Sequence, residues 1–189
     1  MKKRLALFLL FLFLILVVAH LYSNSNAGPA MQTNFCIIIN EHRTAYKNEI
    51  NAGNPLGGKE RLNAIFEKRN IELTNLLSSG AVQEWIGRVK KIYSTSHGAY
   101  LIVELPCKTL FKATPDKLVI PPSTQVYKTL SKTKLNQKIR FSGTLFSRGK
   151  FPGGYPEFNK VAFHEDSFTR NGSMDEPEFL FRFDQINLN

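Results

Sequence analysis

The residues with the strongest chemical bias in this sequence are its lysines and arginines. Residues 107–150 hold ten Lys or Arg against one acid, a local net charge of +9, whereas residues 151–189 hold seven acids against three cations. Aromatic residues accompany these cations, among them Phe111, Tyr127 and Phe146 within the basic half and Tyr155 just after it. Cations for phosphates and ring faces for bases are what a single-stranded nucleic-acid groove requires. A solvated basic face that aids solubility explains the same pattern without a ligand, as does pairing with the acidic half.

The candidate ligand-binding residues are cations and aromatic rings of the predicted strands and of one glycine-rich loop. They are Arg88, Lys90, Tyr100, Lys112, Arg140, Phe146, Arg148, Lys150 and Tyr155. The loop, residues 149–156, lacks the strand-to-helix context in which backbone amides hold a phosphate. Loops on a rigid scaffold often carry binding contacts, so we expect Arg148, Lys150 and Tyr155, in or beside this loop, at a ligand-facing tip.

Catalytic chemistry has little support in the sequence. Glu165 and Asp166 adjoin His164, but neighbours along an extended strand point to opposite faces and need not converge. No nucleophile elbow, helical pair of metal-binding histidines or cysteine signature is present. The two cysteines and four histidines also lack the spacing of a zinc finger or ribbon. We therefore expect a protein that is not an enzyme and that holds no metal or cofactor.

The N-terminus predicts an export signal or a membrane anchor. Residues 2–4 are Lys, Lys and Arg, and they precede fifteen uninterrupted apolar residues, 5–19. Positive charge stays on the cytoplasmic side, so the rest of the chain is expected beyond the membrane, on the periplasmic side of a cell envelope. Ser25 and Ala27 suit a signal peptidase, while Tyr22 suits an interfacial anchor, so cleavage and retention in the inner membrane both remain open.

The two cysteines are candidates for a disulfide. An exported domain meets an oxidising compartment, in which Cys36 and Cys107 can be joined. Closing a loop of about seventy residues would stabilise the fold by a few kcal/mol in the chain-entropy account. Two buried free thiols are the alternative, because a sequence does not place the two Cα atoms within bonding range.

The elements that must position these residues begin with a polar linker, residues 23–32, and a short apolar strand over residues 35–39. After a glycine-rich break at residues 51–58, apolar residues recur at helical spacing until residue 77. They are Leu62, Ile65, Phe66, Leu73, Leu76 and Leu77. This pattern predicts one amphipathic helix whose apolar face packs on the core.

From residue 81 the hydrophobic period becomes that of strands. Residues 85–89 alternate, and residues 99–105 form the second strand of a predicted hairpin. Ile86 and Ile92 are out of phase, which predicts a bulge and a strongly curved strand. Further strands are predicted over residues 109–114, 117–120, 138–145 and 179–183, with a short helix capped by Ser123 before the third of these.

This order of elements predicts the fold. Two curved strands, a third, a short helix, a fourth strand and a fifth form the order of an oligonucleotide/oligosaccharide-binding (OB) barrel. We predict an α+β fold class: a small OB-like antiparallel β-barrel preceded by one amphipathic helix and an N-terminal hydrophobic helix. A small sandwich is the competing fold. The expected division is 1–27 as signal peptide or anchor, 28–56 as linker and N-terminal strand, and 57–189 as a single OB-like domain with its N-terminal helix.

Four segments resemble an uncharacterised group of bacterial envelope proteins with this type of barrel. They are Trp85-Ile-Gly-Arg-Val89, Leu101-Ile-Val-Glu-Leu105, Leu135-Asn-Gln-Lys-Ile-Arg-Phe-Ser-Gly143 and Asp175-Glu-Pro-Glu-Phe-Leu-Phe-Arg-Phe183. The resemblance covers roughly residues 81–187. It implies the fold and a place in the envelope, and it carries no activity, substrate or site.

A second similarity is to the periplasmic heme chaperones of cytochrome c maturation. It rests on an N-terminal anchor, a barrel of this class and the late motif His164-Glu-Asp-Ser-Phe168. Phe168 stands where that family has Tyr, and the chain continues into another Phe-rich strand where that family has a mobile tail. This similarity implies a carrier of heme or of another small ligand.

These observations predict a noncatalytic, membrane-tethered or periplasmic binding or assembly module of the bacterial envelope. Its expected partner is an envelope protein complex or an anionic surface. One alternative is a single-stranded nucleic-acid-binding accessory of a secretion or transfer apparatus, because extracytoplasmic DNA is met in such machinery. The other is the heme or small-ligand carrier.

Overall fold

The computed structural model describes residues 29–53, 58–114, 118–146, 162–167 and 169–188. Its elements in chain order are α1 (Ala30–Asn51), α2 (Gly58–Leu76), β1 (Ala81–Thr95), β2 (Gly98–Glu104), β3 (Leu110–Ala113), α3 (Gln125–Leu130), β4 (Lys138–Leu145), α4 (Arg170–Asp175) and β5 (Glu178–Leu188). The fold is α+β, with a hairpin of two N-terminal helices followed by a closed five-stranded β-barrel. The predicted signal or anchor, residues 1–27, lies outside the described residues. Within the described part of the chain, no helix combines the length and apolarity needed to cross a bilayer.

The barrel is closed in the order β1-β2-β3-β5-β4. Four of its pairings are antiparallel, and β3 runs parallel to β5. The all-antiparallel barrel that we predicted is therefore wrong in this one pairing. A parallel pair needs a long crossover connection, and the segment between β3 and β5, which contains α3, β4 and α4, supplies it.

Strand β1 bends sharply because it pairs with different neighbours along its length. Its register shifts between Val82 and Trp85 against β4, and between Val89 and Lys91 against β2. Glu84 in the first irregularity has a φ of 57°, a left-handed conformation that a regular strand does not contain. These shifts confirm the bulged, curved strand predicted from the change of phase.

Aromatic rings fill the barrel interior. Phe111 on β3 stacks on Trp85 with ring centroids 5.7 Å apart and on Phe181 with centroids 4.8 Å apart. All three side chains are fully buried. Offset and edge-to-face aromatic pairs add about 0.5–1.5 kcal/mol each beyond the burial of their area, so the interior is a packed core.

Helix α1 replaces the linker and strand that we predicted at the N-terminus, so two helices precede the barrel instead of one. Its buried residues recur every three or four positions: Gln32, Phe35, Ile39, His42 and Tyr46. The apolar run at residues 35–39 was too short for its period to distinguish a strand from a buried helical turn. The Phe35 ring inserts among barrel rings, 5.2 Å from Trp85 and 6.0 Å from Phe179 between centroids.

The remaining helices follow the prediction more closely. The amphipathic helix is confirmed as α2, and the short helix is confirmed as α3. The predicted N-cap of α3, Ser123, is wrong: the N-cap is Thr124, whose hydroxyl accepts a hydrogen bond from the Tyr127 N–H. The predicted strand at 117–120 is reduced to a single bridge between Ile120 and Ala99. Helix α3 lies near Leu188 at the end of β5. Helix α1 contacts the start of β5 through the Phe35 and Phe179 rings.

Candidate functional site

Helix α1 is attached to the barrel by a disulfide and by a buried amide. Cys36 and Cys107 are joined, with their Cα atoms 5.3 Å apart, which confirms the predicted bridge. The Gln32 side chain donates to the Ile86 carbonyl at 2.5 Å and accepts from the Ile86 N–H at 2.9 Å. It thereby satisfies both backbone groups of Ile86, which lies between the two irregularities of β1. The disulfide itself favours an oxidising, extracytoplasmic compartment.

A surface groove lies between the first turns of α1 and the outer wall of the barrel. It consists of two adjoining concavities of about 400 and 330 Å³, which share Ile86, Pro106 and the half-buried Lys138. We call it the α1 groove and define it by Thr33 and Ile37 on α1, Ile86 and Arg88 on β1, and Pro106 and Lys108 after β2. The links through Gln32 and Cys36 set its width, because both residues stand on the helix that forms one wall.

The α1 groove has an apolar floor and a positive rim. Ile37 is 47% exposed although it is a large aliphatic side chain, and it lies across from Ile86 and Pro106. Arg88 and Lys108 are exposed at the rim. An acid, Glu104, also lines the groove, and its carboxylate lies 3.1 Å from Lys90 Nζ, which offsets its charge. The groove therefore suits a ligand that joins an anionic group to an apolar portion.

The sequence-predicted site residues are dispersed over the barrel. Arg88 lines the α1 groove and Lys90 borders it through Glu104. Tyr100 is half-buried farther along β2, and Arg140 on β4 lies 3.5 Å from a Glu84 carboxylate oxygen. The half-buried Phe146 accepts a hydrogen bond from the His164 N–H at its carbonyl, at 2.7 Å. The loop residues of the set, Arg148, Lys150 and Tyr155, lie outside the described residues.

The position of Lys112 is explained by ion pairs within the protein. Its ammonium lies 2.6 Å from Glu178 and 3.1 Å from Asp166, and its side chain is largely buried. Burial by itself lowers the pKa of Lys112, but hydrogen bonds to Glu178 and Asp166, together with their negative charge, outweigh burial and raise that pKa above its ordinary value. These ion pairs account for the position of Lys112 without a ligand.

The neighbouring residues Glu165 and Asp166 and the backbone of His164 have different partners. Glu165 contacts Arg69 and Ser173, Asp166 turns to Lys112, and the backbone of His164 is hydrogen-bonded on both sides. The divergence predicted for these neighbours is confirmed. Over the described ranges, no three His, Cys, Asp or Glu side chains are grouped so as to hold a metal ion.

Among the described residues, acids of the C-terminal part pair with the basic half at Lys112. Besides the pairs at Lys112, Asp175 pairs with Lys47 at 2.5 Å, and Asp184 pairs with Arg182 at 2.8 Å. Most of these partners belong to the helical hairpin or to β5 itself. The exposed Lys108 and Lys128 have no acidic partner among the described residues, so a positive surface persists.

Sequence reasoning missed most of the groove. Ile37 was assigned to a strand, while Thr33 and Pro106 carried no chemical signal. Gln32, which fixes the helix in place, lay at the end of a segment predicted to be a linker. Its spacing of three and seven residues from Phe35 and Ile39 was the one signal that indicated a buried helix face.

Comparisons of the chain with protein-family models, with curated proteins and with solved structures find no significant match. The resemblance to envelope proteins therefore identifies no family. The five-stranded barrel is the part of it that the structure bears out.

Proposed function

We propose that this chain is a noncatalytic binding or assembly module, membrane-tethered or periplasmic, and that the α1 groove is its contact surface. The observation that carries the proposal is the apolar floor beside a positive rim, held open by the Cys36–Cys107 disulfide and the Gln32–Ile86 hydrogen bonds. A preorganised surface loses little conformational freedom on binding. The partner is an envelope protein complex or an anionic surface.

We infer that the barrel is of the OB type. The strand order, the parallel pairing of β3 with β5, and the position of α3 between β3 and β4 support this assignment. Folds of this kind host many unrelated ligands, so the fold does not select the ligand and the site must be argued from its residues. The α1 groove uses the last residue of β2 and the turn that follows it.

The extracytoplasmic location in this proposal rests on two features. The sequence places positive charge before an apolar stretch, and the disulfide favours an oxidising compartment. A reporter enzyme that is active only outside the cytoplasm, fused after Asn189, is expected to be active. Activity of a cytosol-specific reporter in its place would contradict this location.

Site-specific photo-crosslinking in cells tests the contact surface. A photoreactive amino acid at Ile37, in the groove, is expected to give adducts with envelope components. The matched control is Ile71 on α2, which is equally exposed at 47% but lies outside the groove. Equal adducts from both positions, or none from Ile37, would reject the groove as the contact surface.

One observation favours the nucleic-acid alternative. A shallow hollow beside α3 is lined by Tyr127, Lys128 and Lys132, a ring with two cations. Single-strand binding through this surface would weaken steeply between low and moderate salt and would be reduced by Lys128→Glu. If an oligonucleotide does not bind, or binds without dependence on salt, the nucleic-acid alternative is rejected and the binding or assembly module is retained.

A further inference from the structure

The position of α1 places the groove close to the predicted membrane segment. The predicted interfacial anchor Tyr22 lies seven residues before Pro29, and α1 begins at Ala30. A fully extended chain spans at most about 3.6 Å per residue, so the eight residues from Tyr22 to Ala30 span at most about 29 Å. Gln32, two residues into the helix, is hydrogen-bonded to Ile86 in the groove floor. In a tethered chain, the groove is therefore within reach of the bilayer surface.

The groove chemistry matches the boundary region of a phospholipid. A phosphodiester is an anion that lies directly beside apolar glycerol-linked methylenes, and the rim and floor of the groove present cations beside aliphatic side chains. Arg88 offers a planar donor set suited to phosphate oxygens, although one Nη1 hydrogen is used by the Asn136 carbonyl at 3.1 Å. Lys108 adds a mobile ammonium at the same rim. Anionic headgroups also attract such cations within a Debye length of the surface.

We propose that the α1 groove binds an anionic phospholipid of the membrane to which the chain is tethered. Arg88 and Lys108 contact the phosphate, and Ile37, Ile86 and Pro106 contact the methylenes nearest the headgroup. This inference rests on the proposed membrane tether. It names the anionic surface as the ligand in place of a protein complex.

A tryptophan reporter tests this contact in the full-length protein. The chain has one tryptophan, Trp85, which is fully buried, so Ile37→Trp introduces the one indole in the groove. The variant is reconstituted into phosphatidylcholine vesicles with and without phosphatidylglycerol. In both vesicle types, the acyl chains of the lipids are brominated near the headgroup. We expect about twofold stronger quenching of the new indole when the anionic lipid is present, because binding brings it to the bromine atoms. Wild-type Trp85 and the Ile71→Trp control are expected to respond equally to both lipid compositions.

Charge reversal separates binding from mere proximity. In the Ile37→Trp background, Arg88→Glu with Lys108→Glu is expected to remove the dependence on phosphatidylglycerol. Lys128→Glu with Lys132→Glu, the same change of charge at α3, is expected to preserve it. Circular dichroism and an intact disulfide verify that each variant is folded.

Three outcomes overturn the lipid assignment. The first is equal quenching in both vesicle types, and the second is full retention of the effect after charge reversal at the groove. The third is a fluorescence change of Ile37→Trp on adding an oligoglutamate peptide or inorganic phosphate that exceeds the change caused by the lipid. If Ile37 still crosslinks to envelope proteins in those cases, the proposed binding module stands and only the lipid is rejected. A cytosolic reporter result would reject both.

Discussion

At the scale of single residues, the strongest constraint is a buried guanidinium. Arg69 on α2 is almost fully buried, and it donates to Glu165, to the Ser173 carbonyl at 2.6 Å and to Asn70 Oδ1 at 2.8 Å. Glu165 also accepts from the Ser173 hydroxyl. A buried charge persists only when it is paired and hydrogen-bonded. This cluster therefore fixes α4 and the segment before it onto the helical hairpin.

Removing the guanidinium is expected to destabilise the fold strongly. Arg69→Met leaves the Glu165 carboxylate buried without its partner, so the free energy of unfolding should fall by about 3–5 kcal/mol. Urea unfolding measures the change. The control is Lys68→Met, because Lys68 is exposed and lies 3.8 Å from Glu72, and such a pair contributes at most about 1 kcal/mol. Equal losses of unfolding free energy in the two variants would show that the buried ion pair stabilises the fold no more than an exposed one.

The raised pKa of Lys112 predicts a pH dependence of stability. A folded-state pKa above the unfolded value means that the native state holds this proton more tightly, so the stabilisation is complete below the unfolded value of about 10.4. This stabilisation is lost as the pH rises through the pKa of Lys112 in the folded state. Lys112→Met should therefore destabilise the protein at pH 8, by about 1–2 kcal/mol, and the difference from wild type should shrink above about pH 10.5.

Urea titrations across the alkaline range measure this effect. Lys90→Met is the control, since Lys90 has one carboxylate partner and is exposed. A difference between wild type and Lys112→Met that stays constant up to pH 11 would argue that packing of the Lys112 stem, and not its charge, stabilises the fold.

At the scale of elements, the important relation is between α1 and the barrel. Three independent contacts join them: the Cys36–Cys107 disulfide, the Gln32–Ile86 hydrogen bonds, and the Phe35 ring inserted among barrel rings. Arg43 adds a hydrogen bond to the Cys107 carbonyl at 2.8 Å. Because each contact comes from one face of α1, the helix is held as a wall of the groove and does not drift from the barrel.

Removing the disulfide is expected to weaken this attachment. Cys36→Ser with Cys107→Ser should lower the free energy of unfolding by about 2–5 kcal/mol, since the bridge closes a loop of 71 residues' separation. Hydrogen exchange in the first turns of α1 should accelerate more than exchange in β4. Unchanged exchange in α1 would mean that the buried amide and the Phe35 ring suffice to hold the helix.

At the scale of the whole molecule, the helical hairpin and the barrel share one hydrophobic core. Phe35, Ile39 and Leu73 belong to the same buried cluster as Trp85 and Phe111. Elements that share a core unfold together, because opening either one exposes the apolar surface of the other. The helices are thus part of the same cooperative unit as the barrel.

Coincident unfolding transitions are the expected result. Helix content followed by far-ultraviolet circular dichroism and Trp85 fluorescence should give the same midpoint in urea. Phe35→Ala should shift both signals together, with a loss of about 3–5 kcal/mol. Separate transitions, with the helices melting first, would contradict a shared core.

The local order of elements was predictable because it depends on neighbours in sequence. The change from helical to strand period at residue 81, the bulge in β1 and the short helix before β4 are each encoded within about ten residues. The cysteine pair was predictable as a candidate from the export signal. Arg88 was the one groove residue named as a binding candidate, and Lys108 entered only as part of the charge count.

The sequence by itself determined the curved β-structure and the excess of basic residues, and it predicts a membrane-targeting N-terminus. Only the tertiary structure decided that residues 35–39 are helical, because their short apolar run fits both the helical and the strand period. The contact of the Phe35 ring with Trp85 shows which face of the helix is buried. The tertiary structure also decided the parallel pairing of β3 with β5 and the existence of the groove. Both depend on contacts between residues fifty or more positions apart, and no local pattern of side chains specifies which distant segments will meet.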